Sequence, residues 1–132
     1  MKKYLFLIIS LFFLAACTSG KTQSLEEFWK DADIKKVDKI VIQDGKTGGS
    51  STITEQDQMD DLLSKIKDIE FTPKKNQEEV KGWSYAVTLF DGQKSFKFTA
   101  DKIGDTYYES TPDILPILQN YFEKYLPKKA SY

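Results

Sequence analysis

The chain has 132 residues and a formal net charge of −1, with neither histidine nor arginine. Those absences remove the usual general base and metal ligand near neutral pH and the bidentate guanidinium clamp for phosphates and carboxylates. No net positive field gathers polyanions, so nucleic acid is not an expected partner.

Chain order begins with MKKYLFLIISLFFLAACTSG, in which Lys2 and Lys3 precede an apolar run from Tyr4 to Ala16. The run is shorter than the roughly 20 residues of a membrane span and suits the apolar region of a secretory leader. It ends in Leu14-Ala15-Ala16-Cys17, and Cys17 is the single cysteine of the chain. This segment resembles the bacterial lipobox. The resemblance implies cleavage after Ala16 and a diacylglyceryl thioether, with palmitate-type acyl chains, on Cys17. One acyl chain anchors a protein only marginally, at about 0.8 kcal/mol per buried methylene, whereas two chains hold it durably. Processing removes two lysines and no acid, so the mature chain is more acidic than the precursor. It also leaves no thiol free for a disulfide, and the fold must rest on its core alone.

The expected organisation is a leader over residues 1–16, a lipidated Cys17 and tether over 17–36, a single domain over 37–126, and a polar tail over 127–132. Within the tether, Ser24-Leu25-Glu26-Glu27 matches a capping box and predicts a short helix over 25–31. Phe28 and Trp29 then pack on the domain flank, or else touch lipid headgroups or a partner.

Lys39 to Gln43 reads as a strand, with Ser51 to Thr54 as its hairpin partner. Between them lies DGKTGGSS, which contains the GKT of a nucleotide-binding loop. That loop requires a glycine five places before Gly45, and position 40 is Ile. It must also open a helix facing the phosphates, whereas the next element here is a strand. No nucleotide and no cofactor is therefore expected, and the glycines read as positive-φ positions of a hairpin loop.

Thr54-Glu55-Gln56-Asp57 starts a helix whose apolar stripe is Met59, Leu62, Leu63 and Ile66. Asp57, Asp60, Asp61 and Lys65 fall off the stripe and read as a solvated face, not a metal site. Ile69 to Thr72 is a strand ended by Pro73, and PKKNQEEVKG over 73–82 is a long polar loop suited to recognition.

Trp83, Tyr85, Val87 and Leu89 alternate with small or polar residues, the period-two pattern of a half-buried strand. Asp91-Gly92 suggests a type I′ turn that pairs 90 with 93 and sets Val87 opposite Phe96, Tyr85 opposite Phe98 and Trp83 opposite Ala100. Gly104-Asp105 turns the chain into Thr106 to Glu109, where Tyr107 and Tyr108 face opposite ways. Thr111 or Asp113 caps a last helix, and Pro116 fits its first turn best with Asp113 as the cap. Its stripe is Ile114, Leu118, Tyr121, Phe122 and Tyr125, and Pro127 ends it.

The expected fold class is α+β. It is an antiparallel β-meander of about four to six strands with two amphipathic helices on one face, in β-α-β-β-β-β-α order. This topology resembles one half of the TATA-box-binding-protein architecture, a likeness of fold that carries no function.

Catalysis is not expected. No histidine activates a serine, no Ser–Lys spacing selects a pair, and Glu78-Glu79 reads as loop solvation instead of a glycosidase pair. The leader followed by one small acidic domain resembles small Gram-positive surface lipoproteins, among them exclusion and immunity types. The resemblance implies a non-catalytic interaction module, lipid-anchored on the extracytoplasmic face of the cell membrane and directed at an unidentified cell-envelope protein. Candidate contact residues are Gly45, Lys46 and Thr47, then Lys74, Lys75, Asn76, Glu78 and Glu79, then Lys97 and Thr99 on the polar sheet face. The alternative is capture of a small ligand between sheet and helices by Trp83, Tyr85 and Tyr121.

Overall fold

A computed structural model describes residues 21–78 and 82–125. The lipobox with Cys17, loop residue Glu79, Pro127 and the tail lie outside the described residues.

The strands are β1 (Gln23–Ser24), β2 (Lys39–Asp44), β3 (Ser50–Ile53), β4 (Glu70–Pro73), β5 (Tyr85–Asp91), β6 (Lys94–Thr99), β7 (Lys102–Ile103) and β8 (Thr106–Thr111). The helices are α1 (Leu25–Asp31), α2 (Gln56–Ile66) and α3 (Leu115–Tyr125). All strand pairs are antiparallel, in the order β1-β4-β8-β7-β6-β5-β2-β3. The α+β class and the helices on one face agree with the sequence reading. The eight described strands exceed the expected four to six, because two-residue β1 and β7 are too short to show a periodicity.

Only β5 to β8 form a consecutive meander. The β2–β3 hairpin adds beside β5, and α2 then carries the chain across to β4, next to β8 on the far side. Alternation along the strands puts Ile40, Ile42, Ile53, Phe71, Val87, Leu89, Phe98 and Ile103 in one core. Helices α1, α2 and α3 close that core with Leu25 and Trp29, with Met59, Leu62 and Ile66, and with Leu118, Tyr121 and Phe122. Each such side chain contributes about 1.5–3 kcal/mol when fully buried, enough to hold a fold that lacks disulfides.

Residues 23–36, expected in the tether, are part of the fold. Gln23 and Ser24 pair with Phe71 and Glu70, and Leu25, Trp29 and Ile34 are buried in the core. Half of the capping box is present: the Glu27 amide donates to Ser24 Oγ at 3.3 Å, while the Glu27 carboxylate accepts from the Gln23 side chain, Nε2 at 3.5 Å. Phe28 meets Phe71 and Tyr108 edge-on, at 6.3 and 5.4 Å between ring centroids. The expected flank packing is what the structure has.

The β5–β6 hairpin forms with a different register. Val87 pairs with Phe98, and Leu89 with Phe96, so each partner is displaced by two positions. The turn residues are Gly92 and Gln93, with Gly92 at φ +61°. Positive φ at the first central residue alone is the type II′ pattern. Asp91 is thus spared the left-handed conformation, and its carboxylate instead accepts the Lys35 and Lys36 amides at 2.8 and 3.1 Å. A shift of two preserves which side chains face the core, so the hydrophobic pattern is equally satisfied by both registers.

The Ile114 carbonyl accepts the first bond of α3, from the Leu118 amide, so Asp113 stands one residue before the cap; its carboxylate accepts the Leu115 amide at 3.0 Å, while Ser110 Oγ accepts from Ile114 at 3.0 Å. Asp61 differs from its expected solvated role. Its carboxylate accepts the Tyr121 hydroxyl and lies 3.6 Å from Lys65 Nζ, tying α2 to α3.

Candidate interaction surface

Among the described residues, no helix packs on the sheet face opposite the core. Lys39, Val41, Thr88, Phe90, Lys97 and Thr99 alternate onto that outer face. Lys39 Nζ sits over the Phe90 ring at 4.4 Å from its centroid. Tyr107 also faces outward, beneath Lys102 Nζ at 5.1 Å, while Tyr108 joins the aromatic group on the core side.

A groove of ≈ 340 Å³ lies on this face, lined by Trp83, Ala86, Lys97, Phe98, Thr99, Lys102 and Gly104. Trp83 stands at one side. It was expected in the strand opposite Ala100 on the buried face, but β5 begins at Tyr85 and the Trp83 side chain is 40% exposed. Its position is fixed by the 44–49 loop. The Gly45 amide donates to the Ser84 carbonyl at 2.8 Å, and a β-carbon on Gly45 would stand 1.9 Å from the Trp83 carbonyl oxygen and 2.7 Å from ring atom Cε3. Gly45 is required by this close approach. Gly48, at φ +76°, is the one glycine of the loop with the expected positive φ.

The same loop answers the GKT motif physically. Asp44 Oδ1 accepts the Lys46 amide at 2.9 Å, and Oδ2 accepts the Thr47 hydroxyl at 3.0 Å. The Gly48 amide donates to the Asp44 carbonyl at 2.8 Å, and the Gly49 amide to Thr47 Oγ1 at 3.2 Å. The donors that would cradle a phosphate are occupied by the loop's own carboxylate, carbonyl and hydroxyl groups. Gly45, Lys46 and Thr47 remain exposed at the surface beside Trp83.

Among the described residues, the 73–82 loop is held to β8 by the Lys74 amide, which donates to the Tyr107 carbonyl at 3.0 Å, and by the Gln77 side chain. Gln77 Oε1 accepts the Tyr107 amide at 2.8 Å, and Gln77 Nε2 donates to the carbonyls of Tyr107 and Lys74 at 3.0 and 2.7 Å. Gln77 thus reproduces a strand partner at the point where β4 ends. Lys75, Asn76 and Glu78 project from this anchored stretch, with the Glu78 amide donating to Asn76 Oδ1 at 3.0 Å, and Lys74 is half-buried.

The structure therefore joins two predicted surfaces, the 44–50 loop and the Lys97–Thr99 face, through Trp83. The Lys74–Glu78 stretch borders β8 instead, and Lys74 lines a separate ≈ 390 Å³ recess with Asp101, Glu109 and Asp113. Sequence reasoning missed Gln77, Lys102, Ala86 and Gly104. The groove residues show no shared spacing in the chain, because adjacent strands bring them together.

Trp83, Tyr85 and Tyr121 are engaged separately. Tyr85 stacks obliquely on Phe122 at 5.4 Å, and burial raises its hydroxyl above the ordinary tyrosine value. Tyr121 is buried and bonded to Asp61, with its own pKa raised by burial. No group of three or more acidic, cysteine or histidine side chains capable of holding a metal occurs among the described residues. Comparison of the chain with family models, with curated proteins and with solved structures yields no match.

Proposed function

We propose that the chain is a lipid-anchored lipoprotein of the extracytoplasmic membrane face, with a domain that acts as a non-catalytic interaction module toward another cell-envelope protein. The anchor rests on Leu14-Ala15-Ala16-Cys17 after a charged and apolar leader. The module reading rests on Trp83, a large aromatic left 40% exposed at a fixed place on a sheet face that no described helix covers. Tryptophan dominates binding energy where it is buried by a partner, and a rigid seat lowers the ordering cost of that event. Inhibition of an incoming machine or toxin at the cell's own surface, as in exclusion and immunity lipoproteins, is the form of action this reading favours.

The test is photo-cross-linking in intact cells from a benzoylphenylalanine at Thr99, compared with one at Gln119 on the exposed side of α3. The expected result is one envelope protein captured from position 99, lost with Trp83→Ala and absent from position 119. Cys17→Ser should release the protein from the membrane fraction. Equal capture from both positions, or none, rejects the module; unchanged membrane retention of the Cys17 variant rejects the anchor.

A further inference from the structure

The groove has chemical polarity. Trp83 lies to one side, Lys102 is level with Ala86 and Thr99, and Lys97 is one row further along, with no acidic side chain in the lining. Four described lysines lie beside carboxylates: Lys30 with Glu26, Lys35 and Lys94 with Asp33, and Lys65 with Asp61. Among the described residues, neither Lys97 nor Lys102 has a carboxylate partner, although the chain is net acidic. Lys102 lies over Tyr107, and the nearby Asp101 accepts the Thr99 hydroxyl at 3.2 Å. Ala86 and Gly104 place only small groups beside the two lysines.

From these features we infer that the groove takes an acidic, extended segment of the partner protein, in which an apolar side chain stacks on Trp83 and carboxylates meet Lys97 and Lys102. The inference rests on the interaction-module reading and names the chemistry of its partner. Charge complementarity selects the sign of the segment. Geometry selects its spacing: Lys97 pairs with Thr88, and Trp83 lies five residues before Thr88 in the chain. At about 3.3 Å per extended residue this sets an upper bound of roughly 16 Å between the main chains of Trp83 and Thr88. An extended segment with an apolar residue at Trp83 and carboxylates within about five positions of it matches that span.

The test uses the full-length lipidated protein in nanodiscs of neutral phosphatidylcholine. A random glutamate–tyrosine copolymer is titrated against it, beside a lysine–tyrosine copolymer and polygalacturonate, a carboxylated glycan. The glutamate–tyrosine copolymer should bind, with affinity reduced about tenfold or more by Trp83→Ala and by Lys97→Glu. Added salt should weaken it further. Thermal melting verifies that each variant is folded, and Lys97→Gln provides a milder charge loss at an exposed site. Absence of copolymer binding, equal binding by the folded variants, or tighter variant-sensitive binding of polygalacturonate overturns the inference. In cells, a cross-link from position 99 that survives Lys97→Glu rejects the acidic segment and leaves the module standing. Loss of all cross-linking rejects the module itself.

Discussion

The Trp83 main chain lies so close to Gly45 that any β-carbon there would enter the carbonyl oxygen of Trp83, at 1.9 Å. A hairpin loop and a distant chain segment are thereby locked as one surface, and the exposed indole is placed by a residue with no side chain.

Gly45→Ala should therefore destabilise the fold by about 1–3 kcal/mol, the usual range for overpacking, and shift Trp83 emission. Gly48→Ala is the control: its β-carbon meets nothing within 4 Å, so only the left-handed backbone cost of about 1–2 kcal/mol applies. Urea unfolding checks both, and unperturbed Trp83 emission in the Gly45 variant would falsify the lock.

The two tryptophans should behave oppositely. Trp29 is buried in the core, so Trp29→Ala should cost about 3–5 kcal/mol. Trp83→Ala should change stability by no more than about 0.5 kcal/mol. Denaturant midpoints separate the two, and a large loss in the Trp83 variant would mean the indole supports the fold.

Gln77→Ala removes three hydrogen bonds to backbone groups of Lys74 and Tyr107. A loss of about 1–3 kcal/mol is expected if water fails to replace them. Amide exchange at Tyr107 should accelerate; unchanged protection there would show that the glutamine does not hold the loop.

Stability should fall in acid. The Lys35 and Lys36 amides hold the Asp91 carboxyl below its ordinary value, and the Tyr121 hydroxyl does the same for Asp61, assisted by Lys65. A depressed folded-state pKa contributes stability above the unfolded value of about 3.9, and that contribution disappears as pH falls through the folded value. Both carboxyls lie near solvent, so each effect is screened. Asp91→Asn should flatten the acid limb of a melting-temperature profile recorded below about pH 4; an unchanged slope would remove Asp91 from this account.

Local periodicity carried much of the fold. The stripe Met59, Leu62 and Ile66 is the buried face of α2, Ser24 caps α1, and Tyr107 and Tyr108 face opposite ways. These features depend on near neighbours in the chain, through periods of 3.6 and 2 residues. The expectation of a lipid anchor likewise rests on contiguous residues, Leu14 to Cys17.

Other features depend on residues far apart in sequence. Two hairpin registers place the same side chains inward, and contacts from outside the hairpin accompany the observed one: Asp91 with the Lys35 and Lys36 amides, and Asp38 with the Gly92 amide. The face and exposure of Trp83 follow from where β2 lies beside β5, which the alternation around Trp83 does not encode. The sequence by itself determined the helices and the longer strands, because those choices are local, whereas two-residue β1 and β7 exist only through their partners. Tertiary structure decided the register, the domain's start and the groove, because each is fixed by pairing across long stretches of chain.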